Sequence, residues 1–285
     1  MLIVLTFNAK IFSQSSDTTF LPSLGKHIFT SITGVEDPFI NTKFTLQFGS
    51  ASLVETEIPI TLKNYDKTII FKPEIFFAQG GFEFQYAVRH WAAIKIKAAG
   101  FASLGDNTLS LVSQGIDAAT LFGIGWHLKI VEQENLLLST AIDLNSSSLT
   151  YINIASTDSS VASTDTLLGR QFISNYQSLT SNIEFRLAVR ISEVVGLITK
   201  VSAGFGEVYA SNSESSFKWN TGLLLSIDLR NWFDIPFGVA IGGTAISSEW
   251  RYKDAKPPIY SVNLNIAFIN RNDFTVGIEN YMQSL

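Results

Sequence analysis

Cysteine is absent from the chain. That one absence removes disulfides, Fe–S clusters, thiolate zinc sites and cysteine nucleophiles together. Charge is scarce as well: 16% of residues are charged, against about 25% in an ordinary soluble protein. A soluble surface so poor in charge is hard to keep covered with polar groups. Histidine is limited to His27, His90 and His127. No EF-hand loop, His-Glu-x-x-His or Cys/His cluster occurs, so neither a metal nor a cofactor is expected. The net charge of −5 gives a nucleic-acid partner no support. Finally, no run of 18 or more apolar residues appears, which excludes a transmembrane helix. It does not exclude the membrane, because the strands of a barrel carry a much weaker signal.

What the chain has instead is alternation. Residues 181–193 read SNIEFRLAVRISE. Ile183, Phe185, Leu187, Val189 and Ile191 share one face, and Glu184, Arg186 and Arg190 share the other, so the period is two and the segment is a strand. From Lys43 onward eleven such segments follow, at about 43–60, 68–88, 91–103, 118–131, 136–154, 170–191, 196–210, 217–229, 236–250, 259–269 and 274–283. The opposite faces of 217–229 and 118–130 are rich in Gly, Ala, Ser and Asn as well as charge. Small residues suit the crowded inside of a closed sheet.

The connections sort into two kinds. Short ones fall at Arg89-His90, 132–135, 192–195, 231–234 and 270–273; longer ones fall at 61–67, 104–117, 155–169, 211–216 and 251–258. Short turns at one rim and long loops at the other mark an outer-membrane barrel. Aromatic residues gather at strand ends: Trp91, Trp232 and Phe233 at the short turns, and Phe217, Trp219, Trp250, Tyr252 and Tyr260 near the long loops, with Trp126 a further interface candidate. Two such girdles fit the two membrane interfaces.

Ahead of the strands, MLIVLTFNAKIFSQ is short, apolar and followed by the polar SSDTT. It reads as a signal peptide over 1–14, cleaved near Gln14 and lacking the usual basic n-region. The competing reading is a buried strand over 2–7. Residues 15–42, with Pro22, Gly25, Gly34 and Pro38, read as an irregular lead-in.

On these features the chain resembles Gram-negative outer-membrane β-barrel proteins over 43–285. The resemblance is one of architecture and rests on no sequence motif. It implies an all-β fold, a single antiparallel transmembrane barrel in the outer membrane, with short periplasmic turns and longer extracellular loops. Bacterial single-chain barrels have an even strand number, so the odd count points to about 12 strands, within a range of about 10 to 14. Many such barrels end on an aromatic residue, and Leu285 departs from that. Some are lipid-cleaving enzymes that carry His-x-Ser on one strand face. Here the three histidines are followed two positions later by Phe29, Ala92 and Lys129, so no enzyme activity is expected.

The inward face is the remaining site candidate. It collects the acids Glu83, Asp143, Glu184, Asp228 and Glu279. Against them stand Lys95, Lys97, Lys129, Arg186, Arg190, Lys200 and Lys218, with His127 among them. Two readings stay open. The charges line a path for small polar solutes, with a basic lean toward anions, or they cross-link and occlude the lumen of a structural barrel that acts through its loops or a partner. A soluble secreted all-β ligand-binding protein is the third reading. Lipid and small solutes are the expected partners, and the oligomeric state is left open.

Overall fold

The computed structural model describes residues 2–12, 21–53, 58–62, 67–71, 75–105, 116–152, 173–207, 215–247, 258–269 and 274–283. Its strands, in chain order, are β1 (Leu2–Phe12), β2 (Ser23–Leu24), β3 (His27–Ile28), β4 (Lys43–Leu53), β5 (Ile58–Leu62) and β6 (Lys67–Phe71). These are followed by β7 (Ile75–Arg89), β8 (Ala92–Gly105), β9 (Ile116–Gln133), β10 (Leu136–Ile152) and β11 (Ile173–Arg190). The last are β12 (Val195–Glu207), β13 (Ser215–Asp228), β14 (Phe237–Ile246), β15 (Ile259–Ile269) and β16 (Phe274–Gln283). Twelve of them close into a barrel in the order β1-β16-β15-β14-β13-β12-β11-β10-β9-β8-β7-β4. Every pairing is antiparallel between chain neighbours in the wall, as in an up-and-down barrel. Closure leaves no edge, which is what a sheet in lipid requires.

The wall has its sequence-expected inside and outside. On β11, Phe185 is 51% exposed and Arg186 is 1% exposed. The same alternation leaves Phe48, Phe122, Ile142, Val201, Leu264 and Ile278 exposed on other strands. Lys95, Asp143, Lys200, Asp228 and Glu279 are buried on the inner side. On the described wall strands large apolar side chains therefore face outward and the charged ones inward, the reverse of a soluble sandwich.

The wall corrects the expected boundaries. Residues 2–12, read as part of a leader, form β1, which pairs with β16 through Ile11↔Phe274 and with β4 through Phe12↔Lys43. This is the twelfth strand that the odd count lacked. An apolar stretch of 11 residues suits a lipid-facing strand as well as a leader's core, so composition alone does not separate them. The expected cleavage point at Gln14 lies outside the described residues. The expected loop at 61–67 is flanked by a two-stranded sheet, β5–β6, paired from Ile58↔Phe71 to Leu62↔Lys67, and 63–66 lie outside the described residues. The short-turn rim carries His90-Trp91, Glu134-Asn135, 191–194 and one helical turn, α1 (Arg230–Phe233), that Asp234 ends at φ 56. Among the described residues no helix is long and apolar enough to cross a membrane; the crossing elements are strands.

Residues 21–42, the described part of the expected lead-in, are largely irregular. They fold inside the barrel as a plug. β2 and β3 make a minimal hairpin about Gly25, whose φ of 56 favours glycine. A second tight turn, closed by Val35 N–H donating to the Ile32 carbonyl at 3.3 Å, runs through Gly34. Leu24, Phe29, Ile32, Val35 and Phe39 are buried against Leu137, Ala188, Ile198, Leu224 and Ala240 of the wall. The core of this protein thus lies between plug and wall, at the centre of the barrel.

Candidate functional site

A strand-poor segment inside a barrel must find partners for its backbone polar groups. The wall supplies them from inward side chains. Asp228 accepts from Ile28 N–H at 3.0 Å, and Ser226 accepts from Thr30 N–H at 2.9 Å. Glu279 accepts from Thr33 N–H at 2.9 Å, and the Asn263 and Asn265 amides donate to the Thr33 and Ser31 carbonyls at 3.2 and 2.7 Å. Gln85 donates to the carbonyls of Phe39 and Asn41 at 2.9 and 2.8 Å. Its Oε1 meets His127 Nδ1 at 2.9 Å, while His127 Nε2 meets Ser139 Oγ at 2.8 Å. These inward groups bind chain rather than water. Buried polar groups so satisfied stabilise the plug; each left unpaired would cost roughly 1–3 kcal/mol.

The charges do the same work at greater strength. Glu36 of the plug pairs with Lys95 at 3.1 Å and with Arg186, which also pairs with Glu184. Arg186 Nη1 donates to the Asp37 carbonyl at 3.1 Å, and the Asp37 carboxylate pairs with Lys43 at 2.8 Å. The chain of contacts runs on through Lys95–Asp143 at 3.1 Å, Lys97–Asp143 at 3.7 Å and Lys200–Glu184 at 3.2 Å. Burial alone would raise the Glu36 carboxyl, but Arg186 and then Lys95 outweigh it and hold it well below the usual carboxylate range.

The plug is asymmetric in its seat. On the β12–β14 side the wall is cut back to glycine. A Cβ at Gly196 would sit 2.3 Å from Phe29, at Gly222 2.6 Å from Val35, at Gly238 2.0 Å from Thr30 Oγ1 and at Gly242 2.7 Å from Ile32. On the other side a cavity of about 240 Å³ separates the plug from β4, β7, β8, β15 and β16. Glu36, Asp37, Lys43, Glu83 and Lys97 supply its charge, with Ile32, Ala99 and Leu121 as apolar surface. A second space of about 230 Å³ shares Gln47, Gly81, Ala99 and Leu121 with it and adds Gln79, Phe101 and Ser147.

The sequence-expected residues separate accordingly. Lys95, His127, Asp143, Glu184, Arg186, Lys200, Asp228 and Glu279 are buried inside the barrel. Glu83 and Lys97 are half-buried at the cavity. Lys129 pairs with Glu132 near the end of β9 at 2.6 Å and Arg190 with Glu134 of the β9–β10 turn at 2.9 Å, so these two belong to the short-turn rim. Lys218 is half-buried near the start of β13. Trp91, Trp126, Trp232 and Tyr260 are exposed on the outer side and Trp219 is half-buried; Trp250 lies outside the described residues. Glu36 and Asp37 were missed, because residues 15–42 carry no alternation to place them, and Lys43 was missed at the very start of the first expected strand. Among the described residues no group of three His, Cys, Asp or Glu is placed to hold a metal.

A closed antiparallel barrel, apolar outside and polar inside, is the form in which strands cross the outer membrane of Gram-negative bacteria. The chain is such an outer-membrane β-barrel, with its lumen occupied by a segment of its own. No family model and no curated protein matches the sequence. Among solved structures it is similar to the β domain of the Bordetella autotransporter BrkA, at 10% identity and TM-score 0.37 over 100% of this chain and 98% of that one. It is also similar to the Pseudomonas putida toluene transporter TodX, at 6% identity and TM-score 0.38 over 99% and 88%. A third likeness is to a Pseudomonas aeruginosa FadL homologue, at 9% identity and TM-score 0.36 over 99% and 88%.

Proposed function

We propose that the protein is a plugged transport barrel, without catalysis, that admits a small polar or charged solute along the flank of its plug. The observation that carries this reading is the asymmetry of the lumen. Apolar packing fixes the plug on the β12–β14 side, while the opposite side holds a cavity of about 240 Å³ lined by Glu36, Lys43, Glu83 and Lys97. That is below the volume range of drug-sized ligand pockets, so the fitting solute is smaller. The polar, ion-paired side of the plug is the one that a solute or an applied force can compete for.

The test is conductance in planar bilayers. Phe12 and Lys43 are paired neighbours, so a short Gly-Ser turn can replace 13–42 without changing the wall. The wild type should conduct weakly, and the plug-replaced barrel should conduct at least several-fold more. A silent plug-replaced barrel that still inserts into the bilayer would overturn the reading. It would favour a structural barrel acting through its loops or a partner.

A further inference from the structure

The cations around Glu36 are more than the wall itself neutralises. Among the described residues the wall brings Lys43, Lys95, Lys97, Arg186 and Lys200 to these ion pairs, with Asp143 and Glu184 as its acids in them and Glu83 beside them at the cavity. The plug supplies the remaining two carboxylates, Glu36 and Asp37. Two of the cations, Lys95 and Arg186, are almost wholly buried and converge on one oxygen, Glu36 Oε2. Lys95 keeps Asp143 and Arg186 keeps Glu184 as partners, but two buried cations meeting at one point still favour a further anion there. Glu36 retains 30% exposure deep within the barrel, and it lines the cavity. Glu36 is therefore held by the wall and borders the space through which a solute would arrive.

We propose that Lys95 and Arg186 form a binding site for the carboxylate of an anionic solute, and that Glu36 occupies this site as a resident stand-in. A planar carboxylate fits because a guanidinium and an ammonium can share its two oxygens. The solute class is a small organic anion whose remainder lies along Ala99 and Leu121, the apolar surface of the cavity. When such an anion enters, Glu36 loses its partners and the plug loses its strongest ionic tie to the wall. The assignment rests on the reading that solutes pass beside the plug, but its test does not use transport.

The test measures the melting midpoint of the detergent-solubilised protein with Glu36→Ala. Removing one partner from a buried pair should lower the midpoint by roughly 10 °C. Sodium acetate, at constant ionic strength with chloride, should restore most of that loss saturably in the variant and leave the wild type unmoved. Adding Lys95→Met to Glu36→Ala should abolish the rescue. If Glu36→Ala fails to fold, Glu36→Gln keeps the shape and is read in the same way. The proposal is overturned if acetate and chloride act alike on the variant, or if phosphate rescues and acetate does not. Silence of the plug-replaced barrel in bilayers would remove the transport reading and leave this result standing.

Discussion

His27 and His127 are both fully buried in the barrel, yet only one of them is satisfied. His127 has Gln85 and Ser139 at its two ring nitrogens, whereas neither nitrogen of His27 makes a well-formed hydrogen bond. His27 packs edge-on to Phe29 with ring centroids 4.4 Å apart. Burial lowers its pKa from 6.5 to about 4, against the opposing pull of Asp228; Arg230 and Arg190 lower it further. The Glu193 backbone, a marginal hydrogen-bond partner of the ring, also opposes the fall, and the Glu193 side chain pairs with Lys26 at 3.0 Å. A histidine with a depressed folded pKa is neutral in both states above pH 6.5. As the pH falls below 6.5 the unfolded state binds the proton first, so stability declines until about pH 4 and is then fully lost. The drop from 6.5 to about 4 corresponds to roughly 3 kcal/mol. Melting midpoints between pH 7 and 4.5 should therefore slope downward in the wild type and less steeply in His27→Leu. Equal slopes in the two proteins would discard the role of His27. The lower bound of that window avoids Glu36, whose depressed pKa removes stability only below its ordinary value of 4.5.

At the scale of elements, the plug and β1 are where sequence reasoning fell short, for different reasons. Alternation reports only whether a strand has two unlike faces, and residues 15–42 have no strand long enough to report anything. A trace was nonetheless present in the wall. Leu137, Ile198 and Leu224 stand on the inner face among Ser139, Lys200, Ser226 and Asp228. Apolar side chains on a wet face require an apolar partner, and Phe29, Ile32 and Val35 provide it. β1 was not counted among the strands because a short apolar stretch at a chain start is also what a leader looks like. The eleven other wall strands and their inner and outer faces were legible, since the period of two acts at every residue. The seat of the plug can be tested at Gly222. A Cβ there would stand 2.6 Å from Val35, which has no exposure and no room to yield. Gly222→Val should leave the wall closed and loosen the plug, with overpacking of about 1–3 kcal/mol. Hydrogen exchange of the plug amides, among them Ile28, Thr30 and Thr33, should accelerate by roughly tenfold or more. Unchanged exchange would mean that the plug does not bear on β13.

The whole molecule is an inverted one, and that inversion sets its response to charge. A charged side chain inside meets the ladder of opposite charges that binds the plug. A charged side chain outside meets hydrocarbon. Ile183 is half-exposed on β11 beside Ile142 of β10 and Ala203 of β12, away from both rims. Its neighbour Glu184, one step along the chain, is buried among Arg186 and Lys200. An arginine facing lipid near the midplane of a barrel costs about 2–4 kcal/mol, and the cost fades toward the interfaces. Ile183→Arg should therefore lower the unfolding free energy in phospholipid vesicles by that amount. Ile191→Arg, placed at the short-turn rim just past the end of β11, should cost less than about 1 kcal/mol. Urea titrations of the three proteins in vesicles give the comparison directly. The depth dependence is the part that discriminates, because a soluble sheet with a half-exposed isoleucine would accept arginine at either position with little change. If both substitutions prove equally mild, the outer face is not in lipid, and the inverted barrel has lost its reason for being closed.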